Sequence, residues 1–214
     1  MSGAEEIDEP YEKAAAKLPR MKPKDAATLI LIRDGREVMM GQRGKGHVFM
    51  PDKWVFPGGR VDPGDAKATA ETEFSPETEA LIMAQGTKRA ARAFGLAAAR
   101  ETLEETGLRV GGPAGPPLDK LRFVFRAITP PNRSRRFDAR FFLADAGQVL
   151  LDDTPMGGDE LLDVKWFSFE EAAKLDLPTI TRFVLKEARA QLSGAETRPV
   201  FTKFVRGKAQ LERR

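Results

Sequence analysis

Cysteine is absent from the 214 residues, which removes disulfides, thiolate nucleophiles and Cys-based zinc or iron–sulfur sites together. A reducing cytoplasm is the simplest setting for such a chain. Histidine occurs once, as His47, so a Ser-His-Asp hydrolase would have to hang on that residue, and no G-x-S-x-G elbow is present to meet it. His47 reads instead as a loop residue in GKGHVFMP. No run of about 18 apolar residues occurs, and the opening MSGAEEIDEPYEKAAAK has acids where a signal peptide needs bases. Neither a membrane span nor secretion is expected. A dominant charge is missing too: 35 Lys and Arg against 32 Asp and Glu leave +3. The total therefore does not argue for nucleic acid, and only local clusters such as NRSRRFDAR at 132–140 are strongly basic. What is present is ordinary for a folded domain. Hydrophobic residues at 41% and charged ones at 31% suit a single core in a chain of this length.

Three prolines and many charges mark residues 1–24 as an arm, with a short helix around Tyr11 to Lys17. Strand patterning begins at ATLILIR, turns at Asp34-Gly35 and returns through EVMMGQR, a hairpin. A basic loop leads to WVF and to the sharp Pro57-Gly58-Gly59 bend. SPETEALIMAQG has an N-cap serine, a proline at the first helical position and a glycine stop, and TKRAARAFGLAAARETLEETG is a second helix ending at Gly107. Whether Gly95 divides it is open. LRFVFRAIT and FDARFFLAD read as paired strands and ELLDVKWFSF as another. Helices at EEAAKL and TITRFVLKEARAQL follow, then a last strand, PVFTKFV. Strands mixed with a few helices predict an α+β fold. The expected organisation is one domain over 25–206, between the arm and a basic tail at 207–214.

RETLEETG at 100–107 concentrates the chemistry. On a helix, Glu101, Glu104 and Glu105 stand at i, i+3 and i+4 and share a face. Three like charges repel, and the lysines that usually relieve such a face are far off, at Lys88 and Lys120. Only Arg100 and Arg109 are near. Alone, the octapeptide reads as a solvated acidic face; with a hard divalent cation such as Mg2+ the repulsion becomes binding.

Upstream, FPGGRVDPGD completes a pattern that resembles the Nudix hydrolase signature, G-x5-E-x7-R-E-x2-E-E-x-G followed by an apolar residue. Gly59 and Asp65 match its first part, with Asp for the usual Glu, and Arg100, Glu101, Glu104, Glu105, Gly107 and Leu108 match the second. Asp65 and Arg100 are 35 positions apart where the pattern gives 8, so about 27 residues interrupt it, at little loop-closure cost. The interruption, with Met50-Pro51, WVFPGG and RRFDARFFLA in that order, is similar to the subgroup typified by the mammalian peroxisomal coenzyme-A diphosphatase. Of the basic pattern of other coenzyme-A enzymes in the family, only Arg43 and FPGG remain.

The resemblance implies an α/β/α sandwich with a mixed sheet and a helical insertion, 66–92, between the glycine loop and the glutamate helix. It implies a hydrolase of nucleoside diphosphates linked to another moiety, with coenzyme A or acyl-CoA among the candidates. Glu101, Glu104 and Glu105 would hold Mg2+, with Mn2+ as a substitute. One of them, or Glu160 from a late loop with Asp159 in reserve, would take the water's proton. Arg100 would orient a glutamate, with Asp65 its partner or an outer-shell metal group, and Gly58 and Gly59 would let backbone approach closely. Arg43, Arg135, Arg136 and Arg140 would bind substrate, the last three being equally readable as a basic strand edge. Trp54 either stacks a base or, more in keeping with its alternation, packs. Trp166, Phe123, Phe125, Phe141 and Phe142 read as core.

The expected partner is a small nucleotide-diphosphate molecule, with nucleic acid disfavoured, no membrane, and a homodimer compatible with the chain. Two rivals stand beside the enzyme: a catalytically inactive Nudix module that senses a nucleotide, and an RNA-binding protein. Retention of all three helix glutamates argues against the first. The second lacks RNP, KH and zinc-knuckle patterns.

Overall fold

Asp34 and Gly35 adopt left-handed φ values of 52° and 65°, the geometry that reverses a chain within a few residues. They join β2 (Lys24–Arg33) to β3 (Glu37–Arg43), the hairpin expected from the sequence. The computed structural model describes residues 5–7, 21–44, 51–131, 135–194, 198–205 and 208–213. His47, Met50 and the helix expected at Tyr11 to Lys17 lie outside the described residues.

The remaining strands are β1 (Glu5–Ile7), β4 (Trp54–Val55), β5 (Gly58–Arg60), β6 (Arg122–Ile128), β7 (Phe137–Asp145), β8 (Leu161–Ser168), β9 (Val200–Val205) and β10 (Lys208–Arg213). They form one mixed sheet ordered β1-β10-β9-β6-β7-β2-β3-β4, with β5 on β2 and β8 on β3. β2–β7 and β6–β9 are parallel and the other pairs antiparallel. Lys208–Arg213, expected as a basic tail, is thus a strand, and Glu5–Ile7 of the expected arm pairs with it.

The helices are α1 (Pro76–Met83), α2 (Ala91–Thr106), α3 (Ala146–Val149), α4 (Phe169–Ala172) and α5 (Thr179–Leu192). Ser75 caps α1 by accepting the Thr78 N–H, with Pro76 behind it, and Gly107 closes α2 at φ 72°. Gly95 does not divide α2. A Cβ there would lie 2.6 Å from the Phe74 ring and 2.9 Å from Leu118, so glycine lets the helix seat closely without breaking it.

Strand alternation sorts the core into two layers. Ala27, Leu29, Leu31, Phe142 and Ala144 pack with α2, while Ile30, Ile32, Phe141 and Leu143 pack with α4 and α5. Phe123 and Phe125, two apart, nonetheless face opposite layers, because the β6–β7 register shifts between them. The result is the α+β sandwich with a mixed sheet expected above.

One feature of this sheet creates the site. β2 is paired along one side by β7, but on the other it is shared, with Ala26–Thr28 taking β5 and Ile32–Arg33 taking β3. The Leu29 N–H meets the Pro57 carbonyl at 3.0 Å between them. Gly58 and Gly59 are thereby fixed on the sheet directly beneath α2.

Candidate active site

The last two turns of α2 present the acidic face over that glycine strand. Glu105 is buried, and its Oε2 accepts the Gly58 N–H at 2.8 Å. The Glu101 carboxylate lies so close over Gly59 that a Cβ there would come within 2.5 Å of its carbon. Any side chain at that position would have to displace the carboxylate.

Arg100 joins the pieces. Its Nε and Nη2 hold Asp65 Oδ1 and Oδ2 at 2.9 and 3.1 Å, a forked pair. Nη2 also reaches the Arg60 carbonyl at 2.9 Å, and Nη1 holds Glu101 Oε1 at 2.8 Å and Glu104 Oε2 at 3.0 Å. All five guanidinium N–H groups are thus engaged, and the hydrogen bond to Asp65 raises the arginine pKa. Asp65 is buried and also accepts the Asp62 N–H at 2.7 Å.

Electrostatics separate the three glutamates. Burial pushes the Glu105 pKa up to about 8, against the pull of the Gly58 N–H and Arg43, while Glu101 and Glu160 push the same way as burial. Burial likewise raises Glu101, opposed by Arg100. Glu104 is half in solvent. Glu160 is exposed at the head of β8, where β8 pairs with β3, so Leu161 stands opposite Arg43. The Arg43 and Glu160 charges therefore both reach the α2 carboxylates, although those residues come from distant strands.

Each helix glutamate spends one oxygen on a protein donor, and its second oxygen has no hydrogen bond to another described residue. Carboxylate oxygens of this kind suit a hard divalent cation. Among the described residues no group of three or more His, Asp or Glu side chains is already drawn into a cage. Arg100 holds Glu101 and Glu104 instead, which also answers the repulsion on this face.

Of the other arginines expected to bind substrate, Arg140 pairs in register with Ala27, itself opposite Gly59, while Arg135 and Arg136 precede β7. Arg136 donates to the Thr129, Pro130 and Met21 carbonyls at 2.6 to 3.0 Å, and Arg135 is exposed beside it. Both precede Phe137, which pairs with Lys24, about 13 Å along β2 from Thr28, the partner of Gly58. Arg140 is fully buried, with its guanidinium 3.9 Å over the Phe94 ring. Phe94 is seven residues, about 10 Å, before Glu101 on the helix. Arg140 also faces Asp25 at 3.5 Å and Asp138 at 3.6 Å.

Trp54 packs edge-on to Phe167 at 4.9 Å, on the α5 side of the sheet. Trp166, expected as core, is half-buried and donates its indole N–H to the Asp153 carbonyl at 2.8 Å. Sequence reasoning missed this bond and the Met156–Gly158 backbone that docks on α2; the paired glycines of MGGDE were the one available signal.

A NUDIX domain model matches residues 75–187. A Caenorhabditis elegans protein that carries the name nudix hydrolase 7 is 30% identical over 159 residues, covering 69% of this chain. The match spans about half of that relative, 52% of its length. The structure of a NUDIX hydrolase from Alicyclobacillus acidocaldarius superposes with a TM-score of 0.60 at 25% identity, covering 80% of this chain and 96% of the other. That of an Ap4A hydrolase binary complex from C. elegans shares the fold at a TM-score of 0.50 and 20% identity, covering 80% of this chain and 98% of the other. No helix among the described residues is long and apolar enough to cross a membrane. With the model matching over half of its length, and with the glycine strand and glutamate helix meeting as described, the chain belongs to the Nudix family.

Proposed function

We propose that this chain is a Nudix diphosphatase that cleaves the diphosphate linkage of a nucleoside diphosphate joined to another moiety, with Mg2+ as the cation and Mn2+ as a substitute. The observation that carries this reading is the contact between two segments far apart in the chain, the Gly58 N–H on the Glu105 carboxylate. It brings the glycine strand and three carboxylates to one spot, as phosphate chemistry requires.

A cation bound there would neutralise charge on the phosphate oxygens and acidify the attacking water. Glu101, Glu104 and Glu105 would hold it, each having one carboxylate oxygen not engaged by Arg100 or Gly58. Arg100 keeps Glu101 and Glu104 aligned and does not touch the substrate. Water oxygen bonds to phosphorus as the bridging P–O bond breaks, and the departing phosphate leaves as a monoester. The water's proton passes to a carboxylate, one of the helix glutamates or Glu160 from the turn before β8, with Asp159 in reserve. Arg43, whose charge Glu105 feels, takes a phosphate oxygen.

Coenzyme A, free or acylated, in which the second moiety is pantetheine, is one candidate substrate on the resemblance of WVFPGG and RRFDARFFLA to that subgroup. The cysteine-free composition favours a cytoplasmic setting. A product screen with Mg2+ against coenzyme A, ADP-ribose, NADH, dinucleoside polyphosphates and capped RNA tests the proposal. We expect cleavage of at least one small diphosphate, lost on chelation. A folded protein that cleaves none of them sinks the hydrolase reading, and cleavage confined to capped RNA redirects the substrate class.

A further inference from the structure

Glu160 lies not on α2 but at the end of the segment that returns from α3 to β8, and backbone contacts hold that segment. Near its start, the Asp153 carbonyl accepts the Trp166 indole N–H at 2.8 Å. The Asp153 carboxylate takes Arg33 Nη1 at 3.1 Å, and the Arg33 guanidinium lies 4.6 Å over the Trp166 ring. In the middle, the Met156 N–H donates at 2.8 Å to the Thr106 carbonyl, one of the last carbonyls of α2, which a helix leaves without an internal partner. At the end, the Gly158 N–H donates to the Leu161 carbonyl at 2.8 Å, closing a turn around Asp159 and Glu160. A Cβ on Gly158 would stand 3.3 and 3.4 Å from the carbonyl oxygens of Glu104 and Glu105. The strap thus rests on the turn of α2 that carries two of the helix glutamates.

Apart from the Asp153 carboxylate on Arg33, the large apolar side chains of the strap are not buried. Leu151 is 77% exposed and Met156 67%, so no buried core fixes the strap and the placement of Glu160 depends on these few contacts. We propose that Trp166 and Gly158 are positioning residues: they pin the 151–160 strap near its two ends, so that Glu160 stands at a fixed place by the last turn of α2 instead of swinging on a lid. This rests on the hydrolase reading above for its catalytic consequence, but not for the pinning itself. A displacement of about 1 Å in a reacting group costs about a hundredfold in rate, so losing either anchor acts on turnover through Glu160.

Two variants of the full chain test it. Trp166→Phe keeps an aromatic ring and deletes the indole donor; Gly158→Val forces a branched side chain against the two α2 carbonyls. Hydrogen exchange followed by NMR needs no substrate. In the wild type the Met156 and Gly158 amides exchange roughly a hundredfold or more below unprotected amides. In both variants they speed up while the amides in the body of α2 do not. With a substrate from the screen, each variant lowers kcat about 10- to 100-fold with KM little changed. In a Glu160→Gln background neither lowers it further, because the group they position is gone.

Fast exchange of those two amides in the wild type overturns the strap whether or not any substrate turns over. Losses that add in full to Glu160→Gln overturn the positioning role. Slow amides released by both variants, in a protein that cleaves nothing, uphold the strap and sink the hydrolase reading. Should Gly158→Val not fold, Gly158→Ala presses the same two carbonyls with a single carbon.

Discussion

Arg100 and Asp65 are 35 positions apart in the chain and joined by a forked bond, Nε to Oδ1 at 2.9 Å and Nη2 to Oδ2 at 3.1 Å. Asp65 is buried while Arg100 keeps part of its surface in water. Removing the acid strands a guanidinium whose other N–H groups are committed to Glu101, Glu104 and the Arg60 carbonyl. Asp65→Ala should therefore lower unfolding free energy by about 3 kcal/mol in urea titrations. Arg100→Lys should lose a comparable amount, since an ammonium cannot span both Asp65 oxygens. A loss under about 0.5 kcal/mol for Asp65→Ala would show that the fork is ornamental.

Glu104 contrasts with its neighbours in being half in solvent, its one side-chain hydrogen bond among the described residues being that to Arg100. Its charge is well screened, so Glu104→Gln should change unfolding free energy by less than about 0.5 kcal/mol. In the proposed reaction the same change removes a cation ligand, and turnover should fall by a factor on the order of a hundred or more. Paired measurement of urea midpoint and kcat checks both halves; near-native activity would remove Glu104 from the metal site.

Why some of this was legible in sequence and some was not follows from the range of the interactions. Ser75-Pro76 and Gly107 act within one turn of chain, so the ends of α1 and α2 announce themselves. The acidic face of α2 needs only helical spacing. Arg140 is different: in RRFDARFFLA nothing local says that Phe94 of another element covers it. The Met156 and Gly158 anchors are backbone bonds whose donors every residue carries. β10, with charged residues at both ends, is fixed by pairing along its length with β9. The shift near Val124, which turns Phe125 away from Phe123, is a property of the pair β6–β7 and not of either strand alone.

The two glycines beneath α2 should fail in different ways. A Cβ on Gly58 would meet the Ala27 carbonyl oxygen at 2.5 Å and Thr28 Cα at 2.6 Å, both backbone. On Gly59 the three nearest atoms would all belong to the far end of the Glu101 side chain, which can turn away. Gly58→Ala should accordingly cost about 2 kcal/mol or more of stability, since overpacked backbone must shift. Gly59→Ala should stay folded with weakened divalent-cation affinity, because the Glu101 carboxylate is pushed from its place. Thermal melts and Mn2+ titration by isothermal calorimetry separate the two; equal melting losses would contradict the distinction.

Glu105 gives the metal-free protein a pH dependence of definite sign. Its pKa stands near 8 in the folded chain against about 4.3 in an unfolded one, so between these values the folded state holds a proton that the unfolded state has released. Its contribution is fully present below the unfolded pKa and is lost as pH rises through the folded one. With a chelator present, stability should therefore decline from about pH 5 to pH 8 by up to a few kcal/mol from this group. Glu105→Gln should flatten that decline. Urea titrations across the range for both proteins check it, and an unchanged slope in the variant would assign the decline to other groups.

Arg140 separates a structural arginine from a substrate-binding one. Its guanidinium is buried over Phe94, burial works against its charge, and its acidic neighbours have other partners. Asp138 holds Arg126 through two bonds of 2.6 and 2.7 Å, and Asp25 holds Arg89 at 3.0 Å. Removing the Arg140 charge therefore leaves neither carboxylate alone, while methionine supplies a stem of similar reach for the Phe94 ring. Buried ion pairs replaced by apolar groups of similar volume are often neutral or stabilising by about 1 to 4 kcal/mol. Arg140→Met should thus unfold at the same or higher urea concentration than the wild type, and its KM for a cleaved diphosphate should be unchanged. A rise in KM of about tenfold at unchanged stability would instead return Arg140 to the substrate, and with it the basic stretch that precedes it.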